Sequence, residues 1–579
     1  MNTKRNDLIR LMITLTIVVL SSLVLSVKFF KLDLTEEKRH SLTDATVAML
    51  DSLDEQIFIR CYLHGDFPAE FKKMEQSIRE RLEEFRDYSN GLLEYEFIDP
   101  YESGDEKKTK EVFKALDEKG LRFSNINFTE NGTKATKLIW PGVIVQYRNK
   151  EYPIQLLKSE MPMASDAMIN NSVNNLEYEL AQGLRKITRP KKPSIGVLYG
   201  HQEMDALHMA DFLYGLQESY SIEFVKIDSQ LNAFSDKIEG YAKRINKYDA
   251  LIVAGPDSTI SDRDLLVMDQ FVMNGGKVLW MLDALRMNLD SLQDDGYAMA
   301  VSNEMNLYPM LFNYGARLNR TIVIDYQGAP IVLDNGPMGT GRNMVDATFY
   351  YAPLMLSPNN AHPICSNLDP VKLEFAGSID SVNPNPEVRK IKLLQSSELS
   401  KELKAPVRVD LDLMSKGQEY FANNNQPNRM MAMILEGRFP SAFRDNLTPQ
   451  LRNDPSFGFL EKSEPTAMIV IADADIAYNE VDMRGEKPKP IALGYDPLFK
   501  RVIYDNKEFL LNCMNYLLDD QALISVRSRA ITLRKLNMGL VEKIRNSIKL
   551  QNTAIPIAIV LLLGGLHFFI RKRRWTRSA

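Results

Sequence analysis

Two uncharged apolar stretches, Leu11 to Val27 and Ala554 to Ile570, stand at opposite ends of a chain of 579 residues, and the sequence between them reads as water-soluble globular protein. Each stretch has 17 residues. That is the short end of the roughly 17–25 a helix needs to cross a bilayer. Ile9, Phe29 and Phe30 lengthen the first, with Lys28 placed to snorkel. The second stops at Arg571, Lys572, Arg573 and Arg574, a basic run suited to anionic cytoplasmic headgroups. Two spans and a cytoplasmic C-terminus place the N-terminus inside as well and the bulk of the chain on the far side of the membrane. Charge bias does not decide this orientation, because Lys4, Arg5 and Arg10 precede the first span while Lys28, Lys31, Lys38 and Arg39 follow it. Residues 1 to 30 also fit a cleaved signal peptide, but no A-x-A-like site precedes Lys28, which favours an anchor.

Charged residues make up 25% of the chain, hydrophobic residues 45%, and the formal net charge is −5. These are values of ordinary globular protein, enough for about two to four domains, and they point away from nucleic acid. Cys61, Cys365 and Cys513 lie far apart in apolar settings and read as buried small hydrophobes. An odd count cannot complete a disulfide framework, and no C-x-x-C spacing offers a metal site.

The body divides into two α/β domains. In the first, residues 33–190, a turn-rich stretch leads to a short helix capped by Ser41 or Thr43 and ending near Leu53. The strand IFIRCYL, a helix with Phe71, Met74, Ile78, Leu82 and Phe85 at helical spacing, and the strand LLEYEFIDP then form a β-α-β unit. Ile126 to Phe128 is a further strand, and VIVQYR with EYPIQLL makes a hairpin around Asn149 and Lys150. The expected shape is small and thioredoxin-like. A helix from about Asn170 to Ile187 and the linker TRPKKP lead to the second domain, residues 191–525.

That domain alternates SIGVLYG, the helix MADFLYGLQES, IEFVKID, a helix near Ser235 to Lys247, DALIVAGP, the helix SDRDLLVMDQFVMNG and KVLWMLD. Regular alternation with continuously apolar strands predicts a parallel sheet covered on both faces. After Asp283 comes a long insertion, with strands IVIDY, KLEFAGSID, KIKLLQSS, MAMILEG and AMIVIADAD that can finish the same sheet, and a closing helix DNKEFLLNCMNYLL. Residues 526–553 are a basic juxtamembrane segment, 554–570 the second span and 571–579 a basic cytoplasmic tail.

No catalytic signature appears. The cluster GPMGTGRN at 336–343 lacks the lysine of a phosphate-binding loop and reads as a flexible loop. There is no G-x-S-x-G and no H-E-x-x-H, which excludes the familiar serine-hydrolase and zinc-protease engines. The sharper candidate is a crevice beyond the carboxyl ends of the parallel strands, where open α/β sheets bind ligands. Gly200, His201 and Glu203 follow the first strand, Gly255 and Asp257 the third, and Asp283 the fourth. They can line a polar pocket for a saccharide or peptide, or serve as turn and cap residues, with Ser261 capping another helix. Asp473 and Asp475 can bind a divalent cation with Asn479, or act as turn residues. EGRFPSAFR, residues 436–444, is either a contact surface or a loop packing Phe439 and Phe443 inward.

FKLDLTEEKRHSLTDAT, YEFIDP, WPGVIVQY, VLYGHQE, LIVAGPDSTISDRDLLVMDQFVMNGGKVLWMLD, EGRFPSAF, DNKEFLLNCMNYL and the terminal helix with RKRRW follow one another over nearly the whole chain. In this order they resemble the GldG family of gliding-motility-associated ABC transporter accessory, substrate-binding subunits, within the ABC transporter auxiliary-domain family. The resemblance implies a central domain like class I glutamine amidotransferases and the GIFT domain of intraflagellar transport proteins. No Cys-His-Glu triad accompanies it, so no enzymatic activity, catalytic residue, metal or cofactor is expected. It further implies an ABC ATPase and a multi-span permease as partners. An envelope scaffold and a glycan-acting enzyme using His201, Glu203 and Asp283 are the alternative readings.

Overall fold

The computed structural model of the protein describes residues 11–17, 41–130, 133–157, 166–238, 243–292, 296–338, 341–356, 362–383, 385–423, 425–455, 457–519, 523–528 and 538–576. The chain divides into two units, Met1–Ala530 and Ile531–Ala579. Of the expected first span only residues 11–17 are described, as exposed helix; residues 18–27 lie outside the described residues.

In the larger unit, helix α1 (Asp44–Asp51) starts at Thr43, whose hydroxyl accepts from the Thr46 amide. The Glu177 carboxylate secures this cap, accepting from the Thr43 amide at 2.7 Å and from the Thr43 and Thr46 hydroxyls at 2.9 Å. Strand β1 (Ile57–Cys61), helix α2 (Ala69–Tyr88) and strand β2 (Leu93–Phe97) form the expected β-α-β unit, with β1 and β2 parallel. Helix α3 (Glu106–Glu118) and a hairpin of β3 (Ser124–Glu130) and β4 (Thr133–Ile139) follow. The expected hairpin of β5 (Gly142–Tyr147) and β6 (Lys150–Gln155) completes a sheet of order β2-β1-β5-β6. Helix α4 (Asp166–Thr188) packs Leu176, Leu180, Leu184 and Ile187 into the same core as Phe71, Met74 and Ile78 of α2.

The second sheet has seven strands. Strands β7 (Ser194–Leu198), β8 (Ser221–Val225), β11 (Ala250–Ala254) and β12 (Lys277–Met281) come from the alternating half, with helix α5 (Ala210–Gln217) after β7 and α6 (Asp262–Met273) after β11. Strands β13 (Val388–Gln395), β14 (Met430–Gly437) and β15 (Thr466–Ile471) come from beyond the insertion, and helix α7 (Asn506–Leu517) follows. The order is β13-β14-β15-β12-β11-β7-β8, parallel from β15 to β8 and antiparallel at β13 and β14. Because side chains alternate along a strand, Ile252, Leu279 and Ile469 face one core with Phe212 of α5 and Phe509 of α7, whereas Val253, Trp280 and Val470 face the other with Phe271 of α6.

Three expectations fail. IVIDY and KLEFAGSID do not finish the seven-stranded sheet: Thr321–Asp325 pairs with Ser400–Lys404, and around KLEFAGSID only Val371–Lys372 and Ile379–Ser381 are extended, each paired within the insertion, because these segments find their hydrogen-bond partners inside it. Residues 235–247 are not a helix but two antiparallel strands, β9 (Ser235–Lys237) and β10 (Arg244–Asn246), with 239–242 outside the described residues. The cause is tertiary. Arg244 is buried and spends its guanidinium on the Ser235 hydroxyl and the carbonyls of Leu231, Ser235 and Phe457, which an extended backbone brings within reach. Residues 336–338 and 341–343 are not a flexible loop; they belong to the arms of a long hairpin, Gly328–Met338 with Gly341–Met355.

Packing continues past residue 525. In a short 3-10 turn, Leu523–Ser528, Leu523 joins the core of the first domain while Ile524 and Val526 join that of the second. The Arg527 side chain is 3% exposed and donates to Glu508, Asn512 and the Ser366 carbonyl. Removing one partner from a buried ion pair leaves the other charge unsatisfied. Arg527→Ala should therefore cost about 3 kcal/mol, read as a lowered urea midpoint of the detergent-solubilised chain, and Arg527→Lys less.

The smaller unit holds helix α8 (Met538–Thr576). Within it Ser547–Ile570, 24 residues that contain an 18-residue window of mean hydropathy 2.2, is long and apolar enough to cross a membrane, and none of that window is buried.

Candidate functional site

Sheet order reverses at β7: the chain steps to β8 on one side and returns to β11 on the other. The loops beyond this point carry the residues singled out from the sequence. Gly200 adopts φ +120°, a conformation that favours glycine, and turns the chain out of β7. The next residue is locked rather than poised. The His201 amide donates to Glu203 at 2.6 Å, its Nδ1 lies 3.2 Å from the other Glu203 oxygen, and its Nε2 lies 3.5 Å from Asp264 in the first turn of α6. The Glu203 contact, with help from Asp264, holds the imidazole pKa above its ordinary value despite partial burial.

The backbone closes the same gap. The His201 carbonyl accepts from the amides of Asp257 and Ser258 at 3.0 and 3.1 Å, and the Met204 amide donates to the Ala254 carbonyl. Asp257 pairs with Arg286. Gly200, His201, Glu203 and Asp257 thus form a braced floor, and Ser261 caps α6 as expected, accepting from the Asp264 amide. Phe439 is buried edge-on against Tyr314 at 5.6 Å, so this part of EGRFPSAFR packs inward.

Asp283 belongs to a different group. Gly255, at φ +58°, lets the loop after β15 close in: a Cβ there would stand 2.9 Å from that of Ala474 and 3.6 Å from the Asp283 carboxylate. Asp283 accepts from the Ala474 amide at 2.7 Å. Asp473 is buried and accepts from the amides of Asp475 and Glu374, both at 2.8 Å. Lys372 lies 2.9 Å from Glu374. Burial raises the Asp283 pKa to about 6, and burial together with the neighbouring carboxylates raises Asp473 and Asp475 well above the usual range.

This acidic cluster is not a cation cage. Asn479 is consumed in structure, its Oδ1 accepting from the Asp211 amide and its Nδ2 donating to the carbonyls of Leu207 and Glu480. Among the described residues, no three His, Cys, Asp or Glu side chains are grouped to hold a metal ion. Nor do the cysteines offer a nucleophile. Burial pushes the thiols of Cys61 and Cys365 up to about 12 and that of Cys513 well above its ordinary value, against the lowered values of reactive thiolates.

Sequence reasoning missed Asp264, Lys372 and Glu374, which lie far along the chain from the residues they meet. It missed the His208–Asp205 contact at 2.6 Å as well, beside the stacked Tyr478 ring. It also missed a cavity of about 450 Å³ between the two domains, lined by α4, α5 and α7.

Residues 192–513, more than half of the chain and all seven strands of the second sheet, match the family described as an ABC-type uncharacterized transport system. The chain belongs to this family. Membership in an ABC-type transport family implies association with an ABC transporter complex, and the apolar span in α8 agrees with membrane association. A domain of unknown function matches residues 36–146, which cover the first domain as far as β5. An uncharacterized protein of Borreliella burgdorferi is 23% identical over 452 residues, 77% of this chain and 80% of that protein. Among solved structures, the mmIFT52 N-terminal domain is similar at 12% identity and a TM-score of 0.29, covering 56% of this chain and 96% of that one. A likeness this slight carries no argument about the fold.

The raised carboxyl groups give a signed prediction. A pKa of about 6 in the folded protein, above the roughly 3.9 of an unfolded Asp, means that the Asp283 contribution to stability is fully present below about pH 4 and is lost as pH rises through about 6. Asp283→Asn keeps the acceptor for Ala474 and removes the charge. At pH 7.5 it should stabilise the chain by on the order of 1 kcal/mol, discounted for the partial exposure of the site. At pH 4 the gain should vanish, as compared by thermal melts at the two pH values.

Proposed function

We propose that this protein is the noncatalytic extracytoplasmic accessory, or substrate-binding, subunit of an ABC transporter associated with bacterial gliding motility. The observation that carries the reading is the family match across the entire seven-stranded sheet. ATP hydrolysis comes from a separate ATPase subunit and the transport path from a multi-span permease, since this sequence contains no nucleotide-binding loop. The bulk of the chain occupies the periplasm, held to the inner membrane by a helix at each end. Support for the gliding assignment comes from the ordered sequence resemblance to GldG.

The first domain is thioredoxin-like, a reading supported by its order β2-β1-β5-β6 and its β-α-β start. Without C-x-x-C it acts as a binding module rather than an oxidoreductase. The second is related to the glutamine amidotransferase-like and GIFT domains with the catalytic function absent. The locked His201 and the raised thiols support the noncatalytic part of the proposal.

A mild-detergent pulldown of the tagged full-length chain should recover an ATPase and a permease, with ATP hydrolysis in the eluate but none by this chain alone. Recovery of envelope scaffolds instead would overturn the reading. Anchoring has its own test: a chain ending at residue 536 should stay in the membrane fraction through the first span. In that setting Ser103→Cys, at an exposed position, should react with an impermeant maleimide from the periplasmic side, whereas the three native cysteines, all buried, should not.

A further inference from the structure

The cavity between the domains has the chemistry of a binding site, and its chemistry is selective. Its volume, about 450 Å³, falls within the roughly 300–1,000 Å³ of sites for small organic ligands. It lies against α4 on one side and α5 and α7 on the other, with Arg122 from the loop before β3 at its edge. Leu511 is the one aliphatic side chain among the described residues that line it. An apolar ligand would therefore bury polar groups without replacing their hydrogen bonds.

Charge argues against an anion. Three basic side chains, Arg122, Lys186 and Lys507, face four acidic ones, Asp211 and Glu218 among them. The lysines are already engaged: Lys507 lies 2.8 Å from Asp211, and Lys186 is 3.1 Å from the Tyr152 hydroxyl and 3.7 Å from Glu218. No surplus of positive charge is left for a phosphate or a carboxylate, which sites for those groups supply as Arg and Lys donors.

What remains is a mixture of donors and acceptors beside an aromatic ring. On the floor, Gln182 Nε2 donates to the Tyr178 hydroxyl, leaving the amide oxygen as an acceptor. Tyr220 donates to Asn515 at 2.8 Å, and Asn515 donates in turn toward Tyr178 at 3.4 Å. At the lip, Tyr214 of α5 is 58% exposed, and Gly215 beside it keeps space clear of Leu511 and Lys507, each 3.2 Å from where a Cβ would stand. A hydroxyl both donates and accepts, and the faces of a sugar ring present C–H groups that pack on an aromatic ring. We propose that this cleft binds a neutral, hydroxyl-rich ligand of the saccharide class, with Tyr214 as the stacking platform and Gln182 and Asn515 as hydroxyl partners. The site is distinct from the strand-end crevice and does not require the transporter reading.

The test is saturation-transfer NMR on the full-length protein in a polyoxyethylene detergent, which carries no sugar headgroup, with maltose, cellobiose and N,N′-diacetylchitobiose as probes. At least one disaccharide should receive saturation at its ring protons. Tyr214→Ala, at an exposed position that the fold does not depend on, and Gln182→Ala should each weaken its Kd by about tenfold, while Tyr214→Phe should preserve it. Inorganic phosphate should not displace it. Absence of saturation for all three sugars, binding indifferent to both alanine variants, or displacement by phosphate would each overturn the proposal. Because the assay contains no ATPase or permease, its failure leaves the assignment to a transporter untouched, and the pulldown bears on that assignment alone.

Discussion

A parallel sheet has two apolar faces, and both must be removed from water; the larger domain is built around that requirement. Burial of apolar area is worth roughly 25 cal/mol per Å², so a strand such as Ala250–Ala254, buried at every position, contributes only if helices cover it above and below. Helices α5 and α7 cover one face and α6 the other, as the division of Ile252 and Val253 between separate cores shows. Strand β15 must pair with β12 to give that strand its second neighbour, although some 185 residues lie between them in sequence. The insertion is tolerated because loop-closure entropy grows only slowly with length.

The same constraint decides what happens at the strand ends. Loops leaving β7, β11, β12 and β15 converge on one edge, so polar residues distant in sequence become neighbours. They divide into two groups with opposite electrostatics. His201 sits between Glu203 and Asp264, a cation-favouring position that ties the β7 loop to α6. Half-buried Asp283 and Asp475 crowd the fully buried Asp473, which favours their neutral forms. The first group stiffens the edge, while the second stores a charge repulsion that acid relieves.

The two domains meet around the segment Leu523–Ser528, which reaches both cores just before the chain continues toward the membrane helix. Arg527 fastens it to α7, whose Asn515 and Lys507 line the inter-domain cleft.

Local patterns were enough to read the β-α-β start of the first domain, the β5–β6 hairpin, a cap at Ser41 or Thr43 and the continuous apolar strands of the parallel sheet, because short-range periodicity and capping chemistry determine them. The resemblance over nearly the whole chain added the transport family, and the basic run after Ile570 marked the end of the apolar stretch that is long enough to span a membrane. Residues 235–247 were misread because the Arg244 bonds to Leu231 and Phe457 outweigh local helical spacing. Residues 336–338 and 341–343 were misread because their extended form depends on pairing across the hairpin. Of the candidate site, the sequence placed Gly200, His201, Glu203, Gly255, Asp257 and Asp283 at one sheet edge. Only the tertiary structure could separate the braced His201 from the crowded Asp283, bring Asp264, Lys372 and Glu374 to them, and open a cleft between α4, α5 and α7, since each of these depends on contacts between residues remote along the chain.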